Sequence, residues 1–161
     1  VPTGWVLNDL VAYYFVGLVT LMVRRLALSD MEYMFDQRYH IVGDLDLVVR
    51  LAVDWKLDYV HEPVGCYRLH GSNGSVVQHK RHVEERETWF NEMANVEEIG
   101  KCSAFHLIRE HTVYAKAMYL LLQRDKVGAF RLFSEMSWSV FRFRLLIALL
   151  LPRWFVEKLR K

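Results

Sequence analysis

The stretch FDQRYHIVGDLDLVVRLA (residues 35–52) places Asp44 and Asp46 at the start of an apolar segment. The apolar residues recur with helical spacing, which predicts a helix over residues 45–55. An aspartate just before a helix accepts backbone N–H hydrogen bonds and lies at the positive end of the helix dipole. Asp44 is therefore predicted to be the N-cap, and Asp46 and Arg50 have the i,i+4 spacing of an ion pair.

Two roles are open for this pair of carboxylates. Acids at helix caps are common, and a capping role alone would explain Asp44. In an open α/β sheet, however, functional sites lie where strands end and helices begin. A carboxylate held there by backbone donors stays ionised and accepts a proton from a hydroxyl group.

The composition is that of an ordinary globular domain, with 161 residues of which 53% are hydrophobic and 25% charged. A net charge of +2 argues against a general nucleic-acid-binding protein, so no nucleic-acid partner is expected. Cys66 and Cys102 are too few for a disulfide framework, and we expect a reducing compartment. The longest uncharged run, residues 10–23, is too short to span a bilayer.

The first part of the chain predicts mixed secondary structure. Residues 14–24 are rich in aromatic and β-branched side chains, which favours a buried strand, and residues 57–61 predict another strand. The expected fold class is therefore α/β: part of a mixed sheet with helices, followed by an all-helical tail. We place the domain division between residues 1–76 and residues 77–161.

The second part predicts helices only. A charged helix is expected from residue 75 to about residue 95, with Trp89 on its buried side. Residues 103–123 have the clearest apolar stripe, and residues 127–138 predict a further helix. A tight connection at residues 124–126 would join the two as a helical hairpin.

Three short elements within residues 10–76 resemble parts of the family 2 glycosyltransferases. They are VTLMVRR at 19–25, then FDQ at 35–37 with GDLDL at 43–47 and RL at 50–51, and finally CYRLHGSNGS at 66–75. Each element is short, but they occur in the order and at the distances usual for that family. The family normally has an acid directly before its base, where this chain has Gly43.

The resemblance implies a role for each matching residue. Asp44 falls on the catalytic base that deprotonates the acceptor hydroxyl. Asp46, Arg68 and Asn73 fall on substrate-binding positions, and Asp46 is also expected to support the base. His70 falls near the diphosphate of the donor and is expected to be a metal ligand.

The same resemblance implies an inverting, hexosyltransferase-type enzyme of cell-surface polysaccharide biosynthesis. It would move a sugar from a nucleotide-sugar donor to a hydroxyl of a glycan or lipid-linked acceptor. Its divalent cofactor, Mg²⁺ or Mn²⁺, would be bound mostly by an N-terminal half that we expect to precede Val1, so this fragment alone should be inactive. The expected location is the cytoplasm, peripherally at the inner face of the plasma membrane.

The end of the chain is basic. Residues 124–161 contain nine Lys or Arg residues against three acids. Within residues 141–161, aromatic and cationic side chains surround the apolar block 145–151. This tail predicts either an ordinary last helix or an interfacial helix at an anionic membrane surface. Two alternatives to the enzyme also remain: a non-catalytic helical interaction module at residues 103–139, or a membrane-surface adaptor acting through the tail.

Overall fold

The computed structural model describes residues 1–68 and 78–151. The described helices are α1 (Leu7–Ala12), α2 (Arg25–Ser29), α3 (Gly43–Asp54), α4 (His79–Met93), α5 (Glu97–Gly100), α6 (Phe105–Leu122), α7 (Lys126–Glu135) and α8 (Val140–Leu150). A 3₁₀ turn, Leu18–Thr20, lies between α1 and α2. The chain divides into an N-terminal unit, Val1–Phe105, and a C-terminal unit that begins at His106.

The predicted α/β fold class is wrong, because the described residues form helices and no sheet. Their only β pairing is an isolated bridge between Gly4 and Leu57. The strand predicted at residues 14–24 is instead a 3₁₀ turn with irregular chain around it, and Met22 there is 95% exposed. A β-prone segment needs a neighbouring strand for its backbone groups, and no described residue provides one.

Helix α3 forms the centre of the N-terminal unit. It contacts α1 and α5, and its side chains are buried around most of its circumference, as in Val48 and Val49. Leu47 and Leu51 pack against Ala27 of α2. A helix that is apolar on nearly all sides is stable only inside a core, which explains its central place.

Helix α4 belongs to the N-terminal unit, whereas the predicted division at residues 76 and 77 assigned it to the helical tail. Val83, Trp89 and Met93 are buried on one of its sides, and the prediction that Trp89 is buried is confirmed. Its remaining inward side chains bind the segment before α3, as described below. The compact N-terminal unit therefore extends to Phe105.

The C-terminal unit has its own apolar core. Its buried members come from all three of its helices and from the residue after α7: Ala117, Met118, Leu121, Ala129, Met136, Leu145 and Ala148. The apolar stripe predicted at residues 103–123 is thus confirmed as α6, and the following helix as α7. None of the described helices combines the length and the apolar character needed to cross a bilayer.

The connection between α6 and α7 is as tight as predicted. Arg124 adopts the left-handed conformation with φ 68°. The N–H of Arg124 donates to the carbonyl of Leu121 at 3.1 Å, and the N–H of Asp125 donates to that of Leu120 at 2.9 Å. Asp125 then caps α7 by accepting the N–H of Gly128 at 2.8 Å. Local hydrogen bonds alone therefore end one helix and start the next.

A buried glutamate fixes the start of α8. Glu110 of α6 accepts the N–H of Ser137 at 3.2 Å and the hydroxyl of Ser139 at 3.1 Å. The oxygen of Ser139 in turn accepts the N–H of Arg142 at 3.2 Å, which makes Ser139 the N-cap of α8.

Candidate functional site

Both aspartates of the opening stretch lie in the first turn of α3. The helix begins at Gly43 with Val42 in the N-cap position, so the prediction of Asp44 as the N-cap is wrong. Asp44 instead accepts the N–H of its neighbour Leu45 at 2.8 Å. Because the first turn is the positive end of the helix dipole, both carboxylates remain in a favourable place.

Asp46 is fully buried and bonded on both of its oxygens. It accepts the guanidinium of Arg50 at 2.7 and 2.9 Å, which confirms the predicted i,i+4 pair. The indole N–H of Trp89 donates to the other oxygen at 3.1 Å. The same guanidinium donates to the carbonyls of Tyr33 and Met34 at 3.0 and 2.8 Å. With its side chain only 1% exposed, Asp46 binds protein groups rather than solvent or a ligand.

Glu85 of α4 holds the segment that leads into α3. One of its oxygens accepts three successive backbone N–H groups, those of His40, Ile41 and Val42, at 2.9, 2.7 and 3.2 Å. Its other oxygen pairs with Arg81 at 2.8 Å. Burial opposes the charge of Glu85, but these donors outweigh burial and lower its pKa.

Glu92, two turns further along α4, binds the same segment from the solvent side. It accepts the guanidinium of Arg38 at 2.6 and 3.0 Å and the hydroxyl of Tyr39 at 2.7 Å. Arg38 also pairs with Asp36 at 2.6 Å. Residues 36–46 are thus fastened to α4 by a row of its side chains.

The sequence analysis missed Glu85 and Glu92 as parts of the site, and it assigned Trp89 to the core only. Their spacing of four and three residues puts all three on one face of α4, and this spacing was visible in the sequence. Their partners were not visible, because Trp89 and Asp46 are 43 residues apart along the chain.

Asp44 lies in a different environment from Asp46. It is partly exposed, and burial raises its pKa although the N–H of Leu45 and the side chain of Tyr14 act in the opposite direction. The hydroxyl oxygen of Tyr14 is buried and forms no hydrogen bond of regular geometry with the described residues. Burial first, and then the charge of Asp44, raise the pKa of Tyr14. Asp44 and Tyr14 are therefore electrostatic neighbours, and the sequence analysis had placed Tyr14 on a strand.

The remaining predicted site residues are only partly described. Arg68 is exposed at the end of the first described range. His70 and Asn73 lie outside the described residues, so their predicted roles stay predictions. At Gly43, an added Cβ would lie 3.8 Å from a ring carbon of Phe35, which is an ordinary contact. Packing at that atom therefore does not require glycine before Asp44.

The described residues do not offer a ligand set for Mg²⁺ or Mn²⁺. Within residues 1–68 and 78–151, no group of three His, Cys, Asp or Glu side chains is placed to hold a metal ion. Asp46 and Glu85 already use their oxygens on protein donors. We therefore assign no step to a metal.

An open cleft of about 500 Å³ lies beside the other end of α3. Its lining residues are Trp5, Leu7, Asn8, Ala52, Val53, Glu98, Lys101, Cys102 and Ser103. Ala52 follows Asp44 by eight residues, which along a helix is about 12 Å. The cleft and the Asp44 environment are therefore two separate features of the N-terminal unit.

Comparisons with protein-family models, with curated proteins and with solved structures find no match to this chain. The functional interpretation therefore depends on the geometry around Asp44 and on the resemblance of the short elements.

Proposed function

We propose that this chain supplies the proton acceptor of a nucleotide-sugar-dependent glycosyl transfer, with Asp44 as the general base. One observation carries the proposal: of the two carboxylates in the first turn of α3, Asp46 is sealed and bonded, whereas Asp44 stays partly exposed with a raised pKa. A carboxylate with a raised pKa accepts a proton more readily than an ordinary surface aspartate. The resemblance of the surrounding elements supports the same residue.

In the proposed step, a hydroxyl oxygen of the acceptor attacks the anomeric carbon of the donor sugar. A new C–O bond forms while the bond from that carbon to the diphosphate oxygen breaks, and its electron pair leaves with the nucleoside diphosphate. The hydroxyl proton passes to the carboxylate of Asp44. Attack from the side opposite the leaving group inverts the anomeric configuration. The acceptor class is a glycan or a lipid-linked glycan.

Asp46 acts in this proposal as a positioning residue. Its bonds to Arg50 and Trp89 fix the first turn of α3, and Glu85 fixes the residues just before it. A base must lie about 2.6–3.2 Å from the oxygen whose proton it takes. Locking this turn from two helices keeps Asp44 within that tolerance.

Tyr14 is the second group that the proposal places next to the acceptor hydroxyl. Its own hydroxyl is buried and lies in the field of Asp44 without a regular hydrogen bond among the described residues. An incoming alcohol at Asp44 would lie within reach of this hydroxyl and could exchange a hydrogen bond with it. Tyr14→Phe should therefore raise KM more than it lowers kcat.

The two cysteines bear on where the reaction takes place. Cys66 and Cys102 are free thiols, which suits a reducing compartment. We therefore propose that the reaction takes place in the cytoplasm.

The test uses the whole gene product that carries this sequence, incubated with a panel of UDP-, GDP- and dTDP-sugars. Release of nucleoside diphosphate is measured with and without a mixed lipid-linked glycan fraction. Asp44→Asn should lower turnover by about 10²–10⁴-fold, because an amide does not accept the proton. The matched control is Asp54→Asn, which removes an exposed acid from the far end of the same helix and should leave turnover unchanged.

The pH profile separates a base from a structural residue. Turnover of the unaltered protein should rise with pH through the raised pKa of Asp44, because only the ionised form takes a proton. This limb should disappear in Asp44→Asn. Full turnover in that variant, with a normal circular dichroism spectrum, would reject Asp44 as the base.

A further inference from the structure

Helix α8 carries an apolar stripe on its outer side. Phe143, Ile147 and Leu150 follow one another at i, i+4 and i+7 and are 62, 37 and 79% exposed. Val140 and Leu146 extend the same stripe at 70 and 39% exposure. The helical period places all five on one side, because three- and four-residue steps return to the same face.

The opposite side of α8 is also apolar. Leu145 and Ala148 are buried in the core of the C-terminal unit, and Phe141 and Leu149 pack against it. A surface helix of a globular protein normally turns a polar face outward. The outer stripe of α8 therefore has the composition of a surface that is covered by a partner.

The charges around this stripe select the kind of partner. Helix α8 contains no acidic residue, and Arg144 is exposed beside the stripe. The following residues, 152–161, add four Lys or Arg residues and one acid by sequence. A second copy of the chain would present the same helix, which has no acidic residue to pair with Arg144. An anionic bilayer accepts both the apolar side chains and the cations.

We propose that α8 docks in the headgroup layer of an anionic membrane, with its axis in the membrane plane. Phe143, Ile147 and Leu150 enter the acyl boundary, and Arg144 meets the lipid phosphates. Eleven residues of helix measure about 16 Å, which is too short to span the hydrocarbon layer. This proposal does not depend on Asp44 or on glycosyl transfer.

Arg142 does not take part in this surface, although it is one of the cations within residues 141–161. Its guanidinium donates to the carbonyl of Met136 at 2.6 Å. It also lies over the rings of Phe133 and Trp138, at 4.8 and 4.7 Å from their centroids. Arg144 is therefore the appropriate residue for a charge test.

The test measures co-sedimentation of the full chain with sucrose-loaded vesicles. One set is pure phosphatidylcholine, and the other is an equimolar mixture of phosphatidylcholine and phosphatidylglycerol. Binding is expected to the anionic set only and to weaken at high salt. The double substitution Phe143→Ser and Ile147→Ser should reduce partitioning by at least about tenfold, because two large apolar side chains are lost from the interface.

The matched control is Met22→Ser with Val60→Ser, which removes two apolar residues of the N-terminal unit that are even more exposed, at 95 and 67%. This control should change partitioning less than about twofold. Arg144→Glu should weaken binding to the anionic vesicles while leaving circular dichroism and the melting temperature unchanged, so that a folding defect is recognised.

Three results would overturn the proposal. The first is an unaltered chain that binds neither set of vesicles. The second is equal binding by the Phe143 and Ile147 double variant. The third is a dimer in size-exclusion chromatography that the same two substitutions dissociate, because the stripe would then be covered by a second copy.

Discussion

In each unit, a buried glutamate accepts hydrogen bonds from groups at the start of a helix, but the number and kind of donors differ. In the N-terminal unit, Glu85 reaches from α4 to three backbone N–H groups before α3 and also pairs with Arg81. In the C-terminal unit, Glu110 accepts one backbone N–H and one hydroxyl, and Ser139 caps α8 locally. Helix α3 has no side-chain cap of its own.

The difference shows where each unit's stability originates. The N-terminal unit relies on charge-assisted hydrogen bonds between helices, which are strong but depend on protonation. The C-terminal unit relies on an apolar core, which does not depend on protonation, and its buried Glu110 accepts fewer hydrogen bonds than Glu85 does. Substitutions at the anchors and a change of pH should therefore affect the two units unequally.

The largest expected effect is that of Asp46→Ala in the N-terminal unit. It should lower the free energy of unfolding by about 3–5 kcal/mol, because the charge of Arg50 and the indole N–H of Trp89 both lose their partner. Equilibrium urea unfolding followed by circular dichroism measures this loss. Asp44→Ala, two residues away, is the matched control and should be far less costly; equal losses would contradict the contrast between the two aspartates.

The next largest effect is expected at the two buried glutamates, Glu85 and Glu110. Glu85→Gln should lower the free energy of unfolding by about 2–3 kcal/mol, because it weakens several charge-assisted bonds at once. Glu110→Gln should cost about 1 kcal/mol, since an amide still accepts a hydrogen bond from Ser137 or Ser139. Urea unfolding of both variants gives the ranking. A larger loss for Glu110 would reverse the comparison.

The dependence on pH has opposite signs at Glu85 and Asp44. Because the folded-state pKa of Glu85 is lowered, its stabilisation is present above the unfolded pKa and is lost as pH falls through the folded pKa. Because the folded-state pKa of Asp44 is raised, ionised Asp44 destabilises the fold as pH rises above its ordinary value of 3.8.

Asp44→Asn should therefore raise the melting temperature at neutral pH, and this gain should shrink towards zero as pH falls below 3.8. Glu85→Gln should behave in the opposite way, with a loss at neutral pH that diminishes in acid. Thermal melts across the pH range test both. A melting temperature that falls in Asp44→Asn would mean that its carboxylate stabilises the fold.

The smallest effects concern the local caps of the C-terminal unit. Arg124→Gly should stabilise the protein by about 1 kcal/mol, because glycine adopts the left-handed conformation without a Cβ penalty. Gly128→Ala should instead destabilise it by about 1 kcal/mol, because the new Cβ would lie 2.3 Å from Asp125 and displace the cap. Urea unfolding measures both changes, and stabilisation by Gly128→Ala would contradict the cap.

The sequence was a good guide where structure depends on near neighbours. The stripe of α6, the tight connection at Arg124 and the Asp46–Arg50 pair all involve residues within one or two helical turns, and all three are present. The strand predicted at residues 14–24 is absent for the opposite reason. Aromatic and β-branched residues favour a strand only when another strand pairs with it.

The candidate site shows the same distinction between near and distant partners. The neighbours of Asp44 in the sequence correctly predicted that it lies at the beginning of a helix. The prediction that it is the N-cap was wrong, because Val42 occupies that position. Sequence spacing paired Asp46 with Arg50, but it did not predict that Asp46 is sealed while Asp44 stays partly exposed. The indole of Trp89, from 43 residues away, seals one of them, and Tyr14 adjoins the other.

Helical periodicity, local turns and short-range ion pairs were therefore encoded in the order of residues, because their partners lie within a few positions. Three features arose only on folding: the lack of a sheet within residues 1–68 and 78–151, the hydrogen bonds of Glu85 to residues 40–42, and the unequal burial of Asp44 and Asp46. Each of these depends on which distant segments come together, and that choice is made by the packing of the whole unit rather than by any one stretch.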